Sequence, residues 1–178
     1  MQKKVEILGS ALKKTLHRLD AVQDLAQGLL TSFQMHIGKD EWEKIVEQLN
    51  ELSRYRAIVF PIHPRTRSCM EKYGLKLEFD TLDAISYGEV LSYIQCSDCV
   101  ISDSGGVPKE AYWLGKKSVV VLDGLVYPIL EHEKYSVRSD YDNILESLET
   151  LEQLPEIENF NLFGDGKTSK KIVEILNG

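Results

Sequence analysis

Residues 98–122 restrict the fold more than any other part of the chain. Residues 98–102 form an apolar, strand-like run, residues 104–115 a helical pattern ended by glycine, and residues 118–122 the most strand-like run in the sequence. A strand, a helix and a second strand in close succession form a crossover unit, whose two strands lie parallel. This predicts an α/β fold, a doubly wound Rossmann-like and mostly parallel sheet of about five or six strands.

The same alternation of strands and helices extends to both sides of this unit. Gly74 is expected to end one of the earlier helices, and Val90, Leu91 and Ile94 line one face of another. Strands are predicted at residues 29–33, 56–63 and 75–79. Helices are predicted to begin at Asp40, where Glu43 completes a capping-box-like start, and to cover residues 66–74, 87–95, 140–151 and 167–176.

Residues 1–26 are predicted to form a separate N-terminal amphipathic helix, ahead of one Rossmann-like domain over residues 27–178. Its apolar stripe consists of Leu8, Leu12, Leu16, Leu19 and Val22. Such a stripe most often packs against the core of its own chain, but at the edge of a domain it can also pack against a partner. Both interpretations remain open from the sequence.

Composition excludes several classes of protein. The 178 residues are 43% hydrophobic and 28% charged, which is typical of a globular domain. A net charge of −7 argues against nucleic-acid binding, because phosphate backbones require concentrated Lys and Arg. We find neither a membrane span nor a signal peptide and expect a cytoplasmic protein. Cys96 and Cys99 have CxxC spacing without a second pair, so packing is their expected role.

The turn after the predicted strand at residues 98–102 is the first candidate site. Ser104 is predicted to cap the following helix, and Gly105 and Gly106 leave backbone N–H groups uncovered. An open helix start at the carboxyl edge of a parallel sheet favours phosphate binding, although a Ser-Gly-Gly turn can also be a simple tight connection. Glu110, in an apolar part of the helix, requires either a cation or hydroxyl donors such as a ribose diol.

Four ordered segments resemble the non-hydrolysing UDP-N-acetylglucosamine 2-epimerase family. The sequence DSGGVPKEAYWLGK at residues 103–116 is similar to the family's DSGG…EEA…LGKP motif. Residues 85–91, ISYGEVL, resemble a segment two turns upstream, and NLFGDGKTSKKIV at residues 161–173 resembles the family's NPYGDGKAS..IV element. FPIHPR at residues 60–65 resembles its HP segment. These matches keep their order over roughly two thirds of the chain.

The resemblance implies the C-terminal half of a glycosyltransferase-B type fold that binds UDP or a UDP-N-acetylhexosamine. It implies that Ser104, Gly105 and Gly106 contact the diphosphate and that Glu110 accepts hydrogen bonds from the ribose. The implied positions of the remaining site residues are Tyr87 and Val90 against the uracil, and His63 and Tyr127 at the cleft. No cofactor and no metal are implied.

The sequence also departs from the family pattern. The N-terminal domain, which in the family supplies catalytic carboxylates, is missing. Phe33 and Gln34 replace the His-Arg pair of the HRxEN loop, and His36 is a shifted and poor substitute. Tyr127 stands where the ERPE segment has its phosphate-facing arginine and cannot supply a charge. We therefore assign no catalytic residue to this chain.

Three hypotheses follow from retained binding motifs and lost catalytic motifs. The chain is one piece of a truncated or split epimerase that interconverts UDP-N-acetylglucosamine and UDP-N-acetylmannosamine, a non-catalytic UDP-sugar sensor, or a degenerate remnant that binds nothing. The first predicts a separately encoded N-terminal domain as partner, and the exposed cleft also allows self-association. Neither nucleic acid nor membrane is an expected partner.

Overall fold

A computed structural model describes residues 29–32, 37–122 and 127–177. The predicted N-terminal helix over residues 1–26 lies outside these residues. So do Phe33, Gln34 and His36, on which the predicted loss of the family's His-Arg loop depends.

The described residues form an open sheet of five strands, all of them parallel, in the order β2-β1-β3-β4-β5. The predicted doubly wound α/β fold is confirmed. The strands are β1 (Leu29–Ser32), β2 (Ile58–Val59), β3 (Cys99–Ser102), β4 (Lys117–Val121) and β5 (Ser136–Ser139).

Seven helices follow or separate the strands in the described part of the chain. They are α1 (Lys39–Leu52), α2 (Pro64–Tyr73), α3 (Tyr87–Cys96), α4 (Val107–Trp113), α5 (Pro128–His132), α6 (Ile144–Glu152) and α7 (Thr168–Asn177). Local sequence signals determine where several of these helices begin or end. Ser86 and Glu89 form a capping box at the start of α3, and Gly74 ends α2 in the left-handed conformation at φ 69°.

Both faces of the sheet are covered, as successive residues of β3 demonstrate. Ile101 packs in a cluster with Trp42 of α1 and Leu148 of α6, whereas Val100 packs in a second cluster with Ile94 of α3. Side chains alternate across a strand, so these two clusters lie on opposite faces. All residues of β3 and β4 are buried, as in the central strands of a parallel sheet.

One strand prediction is wrong. Residues 75–79 form no strand; Leu75, Leu77 and Phe79 instead pack against the core from an irregular segment. Their alternating pattern reflects burial of side chains without ladder hydrogen bonds. The pairing occurs later, as an isolated parallel bridge between Pro61 and Leu82.

Strand β5 was not predicted, because its sequence SVRS contains only one apolar residue. It pairs with β4 from Ser118 with Ser136 to Val121 with Ser139. The predicted helix over residues 140–151 begins at Ile144 instead. Asp140 accepts hydrogen bonds from the backbone N–H of Asp142 and the side chain of Asn143, which holds the preceding turn.

Candidate functional site

The strand order reverses between β1 and β3, whose carboxyl ends lie side by side at one edge of the sheet. After β1 the chain continues to β2 on one side, and it then crosses to β3 on the other side. Open parallel sheets bind ligands at such a reversal of strand order. The segment that leaves β3 at this edge is the predicted site turn, residues 103–106, which begins with the buried Asp103.

Ser104 lies in this turn but does not cap α4, so that prediction is wrong by two residues. Its backbone N–H donates to Ser102 Oγ at 3.0 Å, and its own Oγ accepts from the backbone N–H of Gly106 at 3.2 Å. Gly106 is the N-cap, and α4 begins at Val107 with Pro108 directly after it. The fixed φ of proline favours a helix start at this point, and the Ser104 hydroxyl is used within the turn.

Glu110 extends from the first turn of α4 back over the same turn. A Cβ placed on Gly106 would lie 3.9 Å from Glu110 Oε1 and 4.0 Å from Ser104 Oγ. The structure therefore brings the carboxylate and the serine hydroxyl close to the same glycine. Gly105 and Gly106 are exposed, whereas Ser104 and Glu110 are half-buried.

Tyr87, at the start of α3, reaches the same carboxylate. The pKa of Tyr87 is raised by loss of hydration and then by a hydrogen bond to Glu110. Tyr87 is 63% exposed. Val90, one turn further along α3, is half-buried against the apolar cluster that contains Val100, which leaves only part of its side chain accessible.

His63 stands apart from this group, at the carboxyl end of β2. It is the N-cap of α2, and its Nδ1 accepts from the backbone N–H of Arg65 at 3.2 Å. An accepting Nδ1 places the proton of the neutral ring on Nε2, which becomes a donor. In the sheet order β1 separates His63 from the turn after β3.

Tyr127 belongs to an aromatic cluster that the sequence analysis did not find. Its ring meets Phe163 edge to face at 5.3 Å. Lys109 of α4 lies above this cluster, with Nζ 4.7 Å from the ring centres of both Trp113 and Phe163 and 5.9 Å from that of Tyr127. In the sequence, the signal for this contact is the i,i+4 spacing of Lys109 and Trp113, which places both side chains on one face of a helix.

Tyr112 attaches the segment that contains Phe163 to α4. Its buried hydroxyl donates to the carbonyl of Asn159 at 2.6 Å and accepts from the backbone N–H of Leu162 at 3.0 Å. These two bonds hold residues 159–162 against α4. The GDGK stretch at residues 164–167, which is far from α4 in the sequence, follows directly after this segment.

Comparison with known proteins assigns the chain to a family. The family model described as UDP-N-acetylglucosamine 2-epimerase matches residues 10–177. The chain belongs to this family. It is 36% identical over 165 residues to the UDP-2,3-diacetamido-2,3-dideoxy-D-glucuronate 2-epimerase of Pseudomonas aeruginosa, a match that covers 91% of this chain and 43% of that protein.

Solved structures of epimerases have the same fold. The UDP-GlcNAc 2-epimerase of Methanocaldococcus jannaschii superposes with a TM-score of 0.72 at 23% identity, over 90% of this chain and 49% of that chain. The Neisseria meningitidis enzyme, bound to UDP-GlcNAc, gives 0.71 at 25% identity, over 98% of this chain and 51% of that chain. The chain therefore spans about half the length of its epimerase relatives, and its fold is one half of their glycosyltransferase-B type arrangement.

No group of three or more His, Cys, Asp or Glu side chains among the described residues is placed to hold a metal ion. Cys96 and Cys99 are free thiols, and burial raises the pKa of Cys99 to about 12, which suits packing rather than redox chemistry. Within the described ranges, no helix is both long and apolar enough to span a bilayer.

Proposed function

We propose that this chain is the UDP-binding half of a UDP-sugar 2-epimerase. One observation carries the proposal: the Ser104 turn and the Glu110 carboxylate converge on Gly106, at the point of strand reversal in a chain of the epimerase family. The turn offers exposed backbone at Gly105 and Gly106, where the Gly106 N–H is shared with Ser104 Oγ, and the carboxylate offers an acceptor. A nucleoside diphosphate requires both kinds of group, N–H donors for phosphate and an acceptor for the ribose hydroxyls.

In this arrangement the diphosphate lies against residues 104–106 and the ribose against Glu110. Tyr87 and the accessible part of Val90 cover the base. His63 donates from Nε2 and Tyr127 from its hydroxyl at the border of the site. Because the chain carries a net charge of −7, the anionic ligand is held by these local donors against an unfavourable overall field.

The sugar is less constrained than the nucleotide. One solved relative is bound to UDP-GlcNAc, and the Pseudomonas aeruginosa relative is named for a diacetamido-dideoxy-glucuronate linked to UDP. The UDP moiety is common to both ligands. We propose that the chain acts together with a second domain, because the relatives are about twice as long and epimerisation needs acid and base groups that we do not assign here.

Titration calorimetry with UDP tests the binding proposal. We expect a Kd between tens of micromolar and millimolar, about 4–6 kcal/mol, because one domain binds without the enclosing second domain. Glu110→Ala is expected to weaken UDP binding about tenfold, because hydrogen bonds to a charged acceptor are lost. The same substitution is expected to leave the binding of inorganic phosphate unchanged. Glu149→Ala, an exposed position on α6, is the matched control. Absence of UDP binding at millimolar concentration contradicts the proposal and favours a remnant.

A further inference from the structure

The residues assigned to nucleotide binding include no lysine and no arginine. They are glycines, hydroxyl-bearing side chains, one valine, one histidine and the carboxylate of Glu110, which is itself negative. A diphosphate is an anion, and the chain as a whole carries a net charge of −7. Binding of a diphosphate at the turn of residues 103–106 therefore calls for a cation close to that turn.

Lys109 is the lysine closest in sequence to this turn. Its backbone N–H donates to the carbonyl of Gly106 at 3.0 Å, so it lies one helical turn from the exposed backbone of that glycine. Helix positions three apart are about 5–6 Å from each other, and an extended lysine side chain spans about 6 Å. The ammonium of Lys109 is therefore within reach of a phosphate group that lies against Gly106.

The ammonium of Lys109 lies against aromatic rings and not against a carboxylate. Nζ is 4.7 Å from the ring centres of Trp113 and Phe163 and 5.9 Å from that of Tyr127. Among the described residues, no carboxylate oxygen lies within 4.0 Å of this nitrogen and no group accepts a hydrogen bond from it. Several lysines on other helices do have a carboxylate partner, namely Lys39, Lys44, Lys170 and Lys171. The three N–H donors of Lys109 therefore stay available to a ligand.

The contact with Tyr127 keeps this charge at the end of the sheet where the site lies. Strand β4 pairs with β3 in parallel, so the carboxyl ends of the two strands lie side by side. The site turn follows β3 and the segment that contains Tyr127 follows β4, both at that end of the sheet. Because Nζ of Lys109 contacts the Tyr127 ring, the ammonium lies at the same end as the turn.

We propose that Lys109 contacts the diphosphate of the bound nucleotide and supplies the positive charge of the site. This inference rests on the proposed function and adds a residue to it. The rings of Trp113, Tyr127 and Phe163 position the ammonium without neutralising it, because a ring attracts a cation but carries no net charge. A carboxylate in the same place would compete with the phosphate.

Calorimetric titration of the full chain with UDP and with inorganic pyrophosphate tests the inference. Lys109→Met keeps a long apolar side chain against the rings and removes the charge. We expect both ligands to bind about tenfold more weakly, because an interaction between charged groups is lost. Between about 0.05 and 0.3 M salt, the UDP affinity of this variant should fall less than that of the unmodified chain, which a purely structural role would not produce. Lys109→Arg should bind both ligands within about threefold of the unmodified chain.

Lys72→Met is the matched control. Lys72 also lies above a ring, with Nζ 5.1 Å from the centre of Tyr73, but it is exposed in the last turn of α2. The substitution changes the net charge by the same amount and should leave both affinities unchanged.

Three results would overturn the inference. They are unchanged binding of both ligands by Lys109→Met, equal weakening by Lys72→Met, and an arginine variant that binds as weakly as the methionine variant. Lys109→Gln, a second neutral variant, takes the place of Lys109→Met if that protein fails to fold. The proposed function can fail separately: pyrophosphate binding that depends on Lys109, in a chain that does not bind UDP, would contradict the nucleotide and support the phosphate contact. A chain that binds neither ligand contradicts both.

Discussion

Tyr87 and Glu110 form the contact within the candidate site that sequence reasoning did not anticipate. Both residues were assigned to the nucleotide, one to the base and one to the ribose. In the structure the Glu110 carboxylate acts on the Tyr87 hydroxyl and, after loss of hydration, raises its pKa. The site is therefore partly satisfied without ligand, and a ribose that binds Glu110 must compete with an internal donor. The sequence indicates the residue types, but the distance between α3 and α4 depends on the whole fold.

This competition leads to a prediction for Tyr87→Phe. Loss of the hydroxyl frees the Glu110 acceptor and keeps the ring, so UDP should bind about threefold tighter or more, the net contribution of one hydrogen bond. Tyr87→Ala should weaken binding, because the apolar cover of the base is lost. Calorimetry with Tyr55→Phe, an exposed tyrosine outside the site, as control distinguishes the two effects. Equal weakening by both Tyr87 variants would mean that the hydroxyl contacts the bound nucleotide.

Cys99 gives a pH-dependent prediction at the same scale. Burial raises its pKa from 9.0 to about 12 in the folded protein. The unfolded chain therefore releases this proton first, and stability falls as the pH rises from about 9 to 12. At pH 10 the loss from this group is about 1 kcal/mol relative to neutral pH. Urea unfolding at pH 7 and pH 10 should show a smaller decrease for Cys99→Ala, and an identical decrease in both proteins contradicts the assignment.

Helix α4 has only seven residues, but it contributes to the candidate site and also contacts the C-terminal segment. Its first turn carries Glu110, and Tyr112 and Lys109 attach the segment of residues 157–163. Tyr112→Phe removes both hydroxyl contacts and leaves the carbonyl of Asn159 and the N–H of Leu162 without this partner. We expect a cost of about 1–3 kcal/mol in urea unfolding, with faster amide exchange at residues 157–167. Tyr55→Phe should change neither, and a matching loss in that variant would refute a specific role for Tyr112.

At the scale of elements, the sequence predicts structure where periodicity and caps agree. Helix α3 was predicted over residues 87–95 and spans Tyr87–Cys96, since a capping box fixes its start. Strand β4 was predicted within one residue of Lys117–Val121, because its β-branched run is fully buried. The predictions failed where tertiary contacts decide. Residues 75–79 have strand periodicity but form no strand, and β5 is paired despite its polar sequence.

The candidate site, like the elements, could be predicted from the sequence only in part. Its location at the turn after β3 could be predicted, because a parallel sheet gathers its carboxyl ends at one edge. The first residue of α4 could not be predicted, because the Ser104 hydroxyl accepts a hydrogen bond within the turn and, with Pro108 near its start, the helix begins at Val107. The Lys109 cluster depends on Phe163, fifty-four positions later, and no local pattern specifies that contact. The role of each site residue in UDP binding stays a prediction.

For the whole molecule, the decisive quantity is the share of the epimerase fold that this chain supplies, about half the length of its relatives. Each missing general acid or base typically costs about 10²–10⁴-fold in rate, and charge-stabilising donors cost a similar factor. We therefore expect the purified chain to bind UDP and leave UDP-N-acetylglucosamine unchanged.

Proton NMR in D₂O provides the measurement, since removal and return of the C2 proton exchanges it for deuterium even when little epimer accumulates. Deuterium incorporation by the chain alone, absent in Glu110→Ala, would refute the expected inactivity. Incorporation only after addition of a separately produced N-terminal half of a relative would support a split enzyme.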